Sequence, residues 1–112
     1  MASQDINLMT DAQVLEMFNK CNFGTLLAPI INTVDESTVI IITMPSPEPE
    51  LIEVYVYMRS ELDNILLGHI SCRQLDLDIF NRLRPQICPD AMVVNTDVWI
   101  NSEAVTQWLA TM

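Results

Sequence analysis

The sequence predicts an α+β fold: a mostly antiparallel sheet of about four strands with three flanking helices, in a single domain. Three segments have apolar residues at the helical spacings of three and four, and segments rich in β-branched residues lie between the first two. The length of 112 residues is that of one domain. We assign residues 10–112 to this domain. Residues 1–9 show little pattern and are expected to form a flexible arm.

The first helix is expected at residues 11–21. Thr10 and Gln13 have the spacing of a capping box, in which each side chain bonds the backbone N–H of the other residue. Apolar residues then recur on one helical face from Val14 to Cys21.

Four segments in the middle of the chain are expected to be extended. Residues 25–34 contain Pro29, which cannot donate to a strand ladder, so they are predicted as an edge strand or an irregular extended segment. They are expected to form a hairpin with the β-branched run at 38–44. After a proline-rich loop, residues 51–58 alternate between two faces. Residues 65–72 fit a strand or a short helix, and Gly68 together with the preceding turn favours the strand.

The last third of the chain is expected to contain two helices. Asp76 is the predicted N-cap of the first, which ends before Pro85 because the residue preceding a proline avoids helical geometry. Ser102 is the predicted N-cap of the second. Residues 92–94 and 98–100 are expected to form one short strand or a small hairpin.

The chain is strongly acidic. It has 15 Asp and Glu against 5 Lys and Arg, a net charge of −10. Such a charge repels phosphate backbones and anionic lipid, so direct binding to nucleic acid or to a membrane is disfavoured. The first residues lack the pattern of a signal peptide, and every apolar run is far shorter than the roughly 20 residues that span a bilayer. We expect a cytoplasmic protein.

Few residues have the spacing of a metal or catalytic site. His69 and Cys72 form one HxxC pair, and Cys88 and Cys21 are distant from it in the chain. Zinc accepts such ligands, but a strand would point His69 and Cys72 to opposite faces, so three buried thiols and a hydrogen-bonded histidine fit better. Apolar, acidic surroundings raise a thiol pKa and disfavour a Cys–His nucleophilic pair. We expect no metal, no cofactor and no enzymatic activity.

The strongest functional signal is the set of acidic and aromatic residues around the strand at 51–58. The acidic members are expected to cluster at one side or end of the sheet and to steer a basic partner there; the alternative is that acidity only keeps the chain in solution. Two tyrosines on the outer face of the strand are interface candidates, with coverage by a helix as the alternative. The predicted partner-binding residues are Glu48, Glu50, Glu53, Glu61, Asp63, Tyr55, Tyr57 and Trp108.

These properties predict a small non-enzymatic binding protein that inhibits, chaperones or adapts a basic partner protein, such as a nucleic-acid-handling enzyme. In size, acidity and mixed helix–strand order, the chain is similar to small secretion chaperones, bacterial immunity proteins and phage- or virus-encoded inhibitors of host factors. This likeness covers bulk properties and transfers no site residue. A homodimer is expected, since half of the residues are apolar and so small a domain cannot bury them all. The alternative function is a structural subunit of a homo-oligomeric assembly.

Overall fold

A four-stranded sheet with helices on both faces is the framework of the computed structural model, which describes residues 6–111. The helices are α1 (Asp11–Lys20), α2 (Asn22–Thr33), α3 (Gln74–Ile87) and α4 (Ser102–Ala110), and the strands are β1 (Val39–Pro45), β2 (Leu51–Arg59), β3 (Asn64–Arg73) and β4 (Met92–Asn95). Short 3-10 turns at Ile6–Leu8 and Glu36–Thr38 precede α1 and β1.

The strand order in the sheet is β3-β2-β1-β4. β1 and β2 form an antiparallel hairpin, and β2 pairs with β3 in the same way. β4 runs parallel to β1, because the chain crosses back through α3 before it rejoins the sheet. The α+β class is therefore confirmed, but the sheet is not purely antiparallel, and residues 6–111 form four α-helices instead of three. Of the two alternatives for residues 92–94 and 98–100, the single short strand is the one that forms, as β4, and residues 98–100 form no strand.

Each face of the sheet has its own apolar cluster. Val54 and Val56 of β2 pack toward α1, α2 and α3, where three phenylalanine rings contact one another: Phe18, Phe23 and Phe80. Tyr55 and Tyr57 belong to the cluster on the opposite face, which α4 covers with Val105 and Leu109. The predicted alternation of this strand is confirmed, and both of its faces are buried.

The prediction of an extended segment at 25–34 is wrong, because residues 25–33 belong to α2. Phe23 and Leu27 are fully buried and four residues apart, which is a helical spacing. Pro29 lies on the exposed side of the helix, where its missing N–H removes one backbone hydrogen bond but its ring stays out of the core. Burial of the apolar face outweighs this loss. The hairpin of β1 is consequently made with β2.

The predicted start of α1 is confirmed by its capping box. The backbone N–H of Thr10 donates to Gln13 Oε1 at 2.8 Å, and that of Gln13 donates to Thr10 Oγ1 at 3.2 Å. In α4 the N-cap is Asn101, one residue before the predicted Ser102. Its side-chain oxygen accepts the N–H of Ala104 at 2.8 Å.

α3 extends beyond both predicted ends. It begins at Gln74, so Asp76 lies in the first turn, where its carboxylate accepts the backbone N–H of Arg73 at 3.3 Å. Pro85 is in the last turn, and the helix continues to Ile87. Its missing N–H leaves the carbonyl oxygen of Asn81 without its usual helical partner.

Residues 6–9 are tied to α3 by Arg82. Its guanidinium donates to the carbonyl oxygens of Ile6 and Met9 and forms an ion pair with Asp11 at 3.0 Å. Hydrogen bonds from Gln86 and Arg82 lower the pKa of Asp11 below its ordinary value. The end of the predicted arm is thus anchored, and residues 1–5 lie outside the described residues.

Candidate binding groove

A groove lies on the same face of the sheet as α4, near the start of β2. Its floor comes from β2 and β3, and its walls come from the β1–β2 loop and the loop that follows β4. Its volume is about 320 Å³. We call it the Trp99 groove; its lining residues are Ser46, Pro47, Glu48, Glu53, Tyr55, His69, Ser71 and Trp99.

Glu53 is the buried carboxylate of the groove, with 7% of its surface exposed. His69 Nε2 lies 2.6 Å from its Oε1, and Ser71 Oγ donates to its Oε2 at 2.6 Å. Burial raises the pKa of Glu53, but hydrogen bonds from Ser71, His69 and Ser46 outweigh burial, and the pKa lies below its ordinary value. The groove therefore has a negative charge at its base at neutral pH.

The ring of His69 stacks on the ring of Tyr55. The ring centroids are 4.2 Å apart and the planes are inclined by 10°. The stack and the hydrogen bond to Glu53 together hold the imidazole in one orientation, with Nε2 toward the carboxylate. Burial, followed by the charges of Glu53 and Tyr57, raises the pKa of the Tyr55 phenol, so this ring stays neutral.

Glu48 reaches the groove from the β1–β2 loop. The backbone N–H of Ser46 donates to the carbonyl oxygen of Leu51 at 3.1 Å, which closes the loop, and the N–H of Glu48 donates to Ser46 Oγ at 3.1 Å. Glu50 completes the turn with a φ of 68°, a left-handed conformation that is uncommon for residues other than glycine. Glu48 is exposed, so the mouth of the groove is also acidic.

Trp99 forms the opposite wall and has 45% of its surface exposed. Its loop is attached to β1 at two points: the N–H of Thr96 donates to the carbonyl oxygen of Thr43 at 2.9 Å, and the N–H of Ile100 donates to Met44 Sδ at 3.3 Å. A large apolar ring is thus held at the surface beside two carboxylates.

The polar residues of the groove are not arranged as a nucleophilic triad. In a triad, histidine lies between the nucleophile and the acid and takes the proton of the nucleophile. Here Glu53 lies between Ser71 and His69, so the serine hydroxyl donates to a carboxylate. A carboxylate held between two hydrogen-bonding side chains is typical of a rigid anionic binding surface.

The buried cysteines are poor nucleophiles. Burial raises the pKa of Cys72 to about 12 and that of Cys88 to about 11. At neutral pH both are therefore thiols, which react far more slowly than thiolates. Cys72 packs on the face of the sheet opposite His69, as predicted for an HxxC pair in a strand. Within residues 6–111, no three His, Cys, Asp or Glu side chains are close enough to hold a metal ion.

The predicted acidic set is divided between the two ends of β2. Glu48 and Glu50 precede the strand, and Glu61 and Asp63 follow it. A nine-residue strand separates its ends by roughly 26 Å, so of the expected clustering at one side or one end of the sheet, a cluster at one end does not occur. Of the eight predicted residues, three line the Trp99 groove: Glu48, Glu53 and Tyr55.

Tyr57 and Trp108 are placed by α4. Tyr57 is fully buried, and its hydroxyl lies 3.4 Å from the carbonyl oxygen of Ser102 and 3.3 Å from Thr106 Oγ1. Trp108 is half-buried against the same cluster. Tyr55 is also buried, so the expectation of two tyrosines on an exposed face is wrong for both residues. Coverage by a helix, the alternative, is what occurs.

His69, Ser71 and Trp99 are groove residues that sequence reasoning did not assign to a binding surface. A bulge decides the placement of the first two. β2 and β3 pair as Tyr57 with Leu66, but the next pair is Val56 with Gly68, so Leu67 is an extra residue. The shift of one residue places His69 opposite Tyr55 and Ser71 opposite Glu53. The two-residue spacing of His69 and Ser71 predicts that both side chains lie on one face of a strand. The register of β3 against β2, which decides what they face, is not encoded in that spacing.

No family model, curated protein or solved structure matches this chain. Within residues 6–111, no helix combines the length and the apolar character needed to cross a bilayer. The proposed function is therefore based on the geometry of the groove.

Proposed function

We propose that the protein is a non-enzymatic binding protein that holds a basic segment of a partner protein in the Trp99 groove and so inhibits, chaperones or adapts that partner. The observation that supports this is the position of a buried carboxylate, Glu53, and an exposed one, Glu48, beside the exposed ring of Trp99.

A lysine or arginine side chain matches these groups chemically. Its cationic head can approach the carboxylates while its aliphatic stem lies on the indole, an arrangement that combines cation–π attraction with apolar contact. Glu53 accepts hydrogen bonds from Ser71, His69 and Ser46, and because a carboxylate has about four acceptor positions, capacity remains for a further donor. A buried carboxylate with fixed partners loses little side-chain freedom on binding.

The charge of the whole chain favours the same class of partner. A net charge of −10 attracts a basic protein over distances near the Debye length and raises its rate of association. Contacts in the groove then determine how long the complex lasts, because affinity differences arise mostly in dissociation.

A phage-displayed library of random peptides, selected on the immobilised protein, tests this proposal. We expect enrichment of peptides with Lys or Arg next to apolar residues. Binding of the enriched peptides should fall roughly tenfold in Trp99→Ala and severalfold in Glu48→Gln. Glu16→Gln is the matched control, since Glu16 is an exposed carboxylate on α1 that pairs with Lys20. Enriched peptides without cationic residues, or equal binding by all variants, would contradict the proposal.

A further inference from the structure

The free edge of β3 is a second candidate interaction surface, separate from the groove. β3 has ten residues and one neighbouring strand, β2. Among residues 6–111, the backbone groups of residues 65–72 make no hydrogen bond outside this pairing. The opposite edge strand, β4, has four residues. The longest set of unpaired strand N–H and C=O groups in the described fold therefore lies along β3.

β3 lacks most features that protect edge strands from pairing. Natural edges are shortened, or carry lysine, proline or inward-pointing charge. Residues 64–73 contain no lysine, proline, aspartate or glutamate. The bulge at Leu67 interrupts the ladder, but six residues follow it in regular register, Gly68–Arg73. Two apolar residues just before the bulge, Ile65 and Leu66, are each 45% exposed.

The helices leave this edge open. α2 packs on the face of β3, where Leu26 lies so close to Gly68 that an added Cβ would meet its Cδ1 at 2.4 Å. Such a contact occupies the face of the strand and leaves the hydrogen-bonding direction free, because that direction lies in the plane of the sheet.

We propose that two copies of the chain pair through antiparallel β3 strands and form a continuous eight-stranded sheet. The charge pattern favours a second copy as the occupant. Contact between two chains of net charge −10 must avoid opposing carboxylates, and β3 is the longest strand without any. An acid-free strand offers a basic peptide no complementary charge, so this edge suits self-association better than the proposed basic partner. Antiparallel pairing of two β3 strands about a twofold axis gives hydrogen-bond partners to the free backbone groups of both edges.

Salt separates this dimer from binding in the groove. Added salt screens the repulsion between two acidic chains, so it should strengthen the dimer, whereas it should weaken the attraction of a basic peptide. Failure of one proposal therefore leaves the other standing.

Sedimentation velocity and hydrogen exchange on the full chain test the dimer. We expect a species of twice 12.7 kDa at high micromolar concentration. Amides of residues 64–73 should gain protection as concentration rises, and those of β4 should not. The double variant Ile65→Lys/Leu66→Lys should weaken the dimer at least tenfold, while the control Leu8→Lys/Leu62→Lys, at positions 85% and 98% exposed, should not. A monomer under these conditions, or protection gained elsewhere, would overturn the proposal even if the β3 variant failed to fold.

Discussion

Glu53 shows how a charged residue can be buried in the middle of a sheet. Its carboxylate is withdrawn from water, which is unfavourable unless donors replace the lost hydration. Ser71 and His69 supply them at 2.6 Å from the adjacent strand. Hydrogen bonds to a charged group are stronger than neutral ones, so this cluster is expected to stabilise the fold as well as shape the groove.

Glu53→Gln should lower the free energy of unfolding by about 1–3 kcal/mol at pH 7. The amide is similar in shape, but it loses the charge and presents an NH₂ group to at least one of the side chains that donate to Glu53. Urea unfolding followed by circular dichroism gives the difference, and Glu16→Gln, which alters an exposed carboxylate, should change stability by well under 1 kcal/mol. A Glu53→Gln protein as stable as the wild type would show that the cluster does not stabilise the fold.

The same residue predicts a pH dependence. The pKa of Glu53 in the folded protein is below its ordinary value of 4.5, so its stabilising contribution is present above pH 4.5 and is lost as the pH falls through the folded pKa. The stability difference between the wild type and Glu53→Gln should therefore narrow as the pH falls below 4.5. A difference that widens on acidification would contradict the assigned direction.

At the scale of elements, α2 shows tertiary contacts overriding local preference. Pro29 is the eighth of twelve residues in the helix, where its missing N–H leaves the carbonyl oxygen of Thr25 without its usual partner. The helix persists because Phe23 and Leu27 are fully buried against the other helices and the sheet. An isolated helix of this length would be marginal even without a proline.

Pro29→Ala should raise the free energy of unfolding by about 1–2 kcal/mol. The alanine restores the backbone hydrogen bond and improves helix propensity, and the greater freedom of the unfolded chain offsets part of that gain. Pro47→Ala is the control, because Pro47 lies in the β1–β2 loop and its replacement should be neutral or destabilising. Thermal and urea unfolding measure both variants; destabilisation by Pro29→Ala would show that the proline favours the native state.

At the scale of the molecule, four of the predicted acidic residues form two separate groups at the two ends of β2. Glu48 and Glu50 lie in the loop that borders the groove, while Glu61 and Asp63 lie in the β2–β3 turn, close to the end of α4. Both groups contribute to the overall negative field, but one group is next to the proposed contact. Reversing each group separately distinguishes a local contact from steering by net charge.

Glu48→Lys/Glu50→Lys should slow the association of a basic peptide from the library by roughly threefold to tenfold at low salt. Glu61→Lys/Asp63→Lys changes the net charge equally and should have a smaller effect. Stopped-flow measurements at several salt concentrations compare the two, and circular dichroism checks that both remain folded. Equal slowing by the two pairs would show that the field acts as a whole, and no slowing by either would show that the acidity serves solubility alone.

Features encoded within a few consecutive residues were predictable. The α+β class, the capping box of Thr10 and Gln13 and the alternation of β2 each depend on local spacing, and the structure confirms them. Glu48, Glu53 and Tyr55 could be named as candidates because acidic and aromatic residues stand out in and around a strand.

Features that depend on distant residues were decided by the tertiary structure. The parallel pairing of β4 with β1 follows from the path of α3 across the sheet, and the helical state of residues 25–33 follows from burial of one apolar face. The groove depends on the extra residue Leu67, which shifts β3 by one position against β2. Without that shift Glu53 would lie opposite Ile70 instead of Ser71. By itself the sequence determined which side chains alternate along each strand. Cross-strand register and packing determined which side chains contact each other, because register and packing depend on contacts that no local pattern specifies.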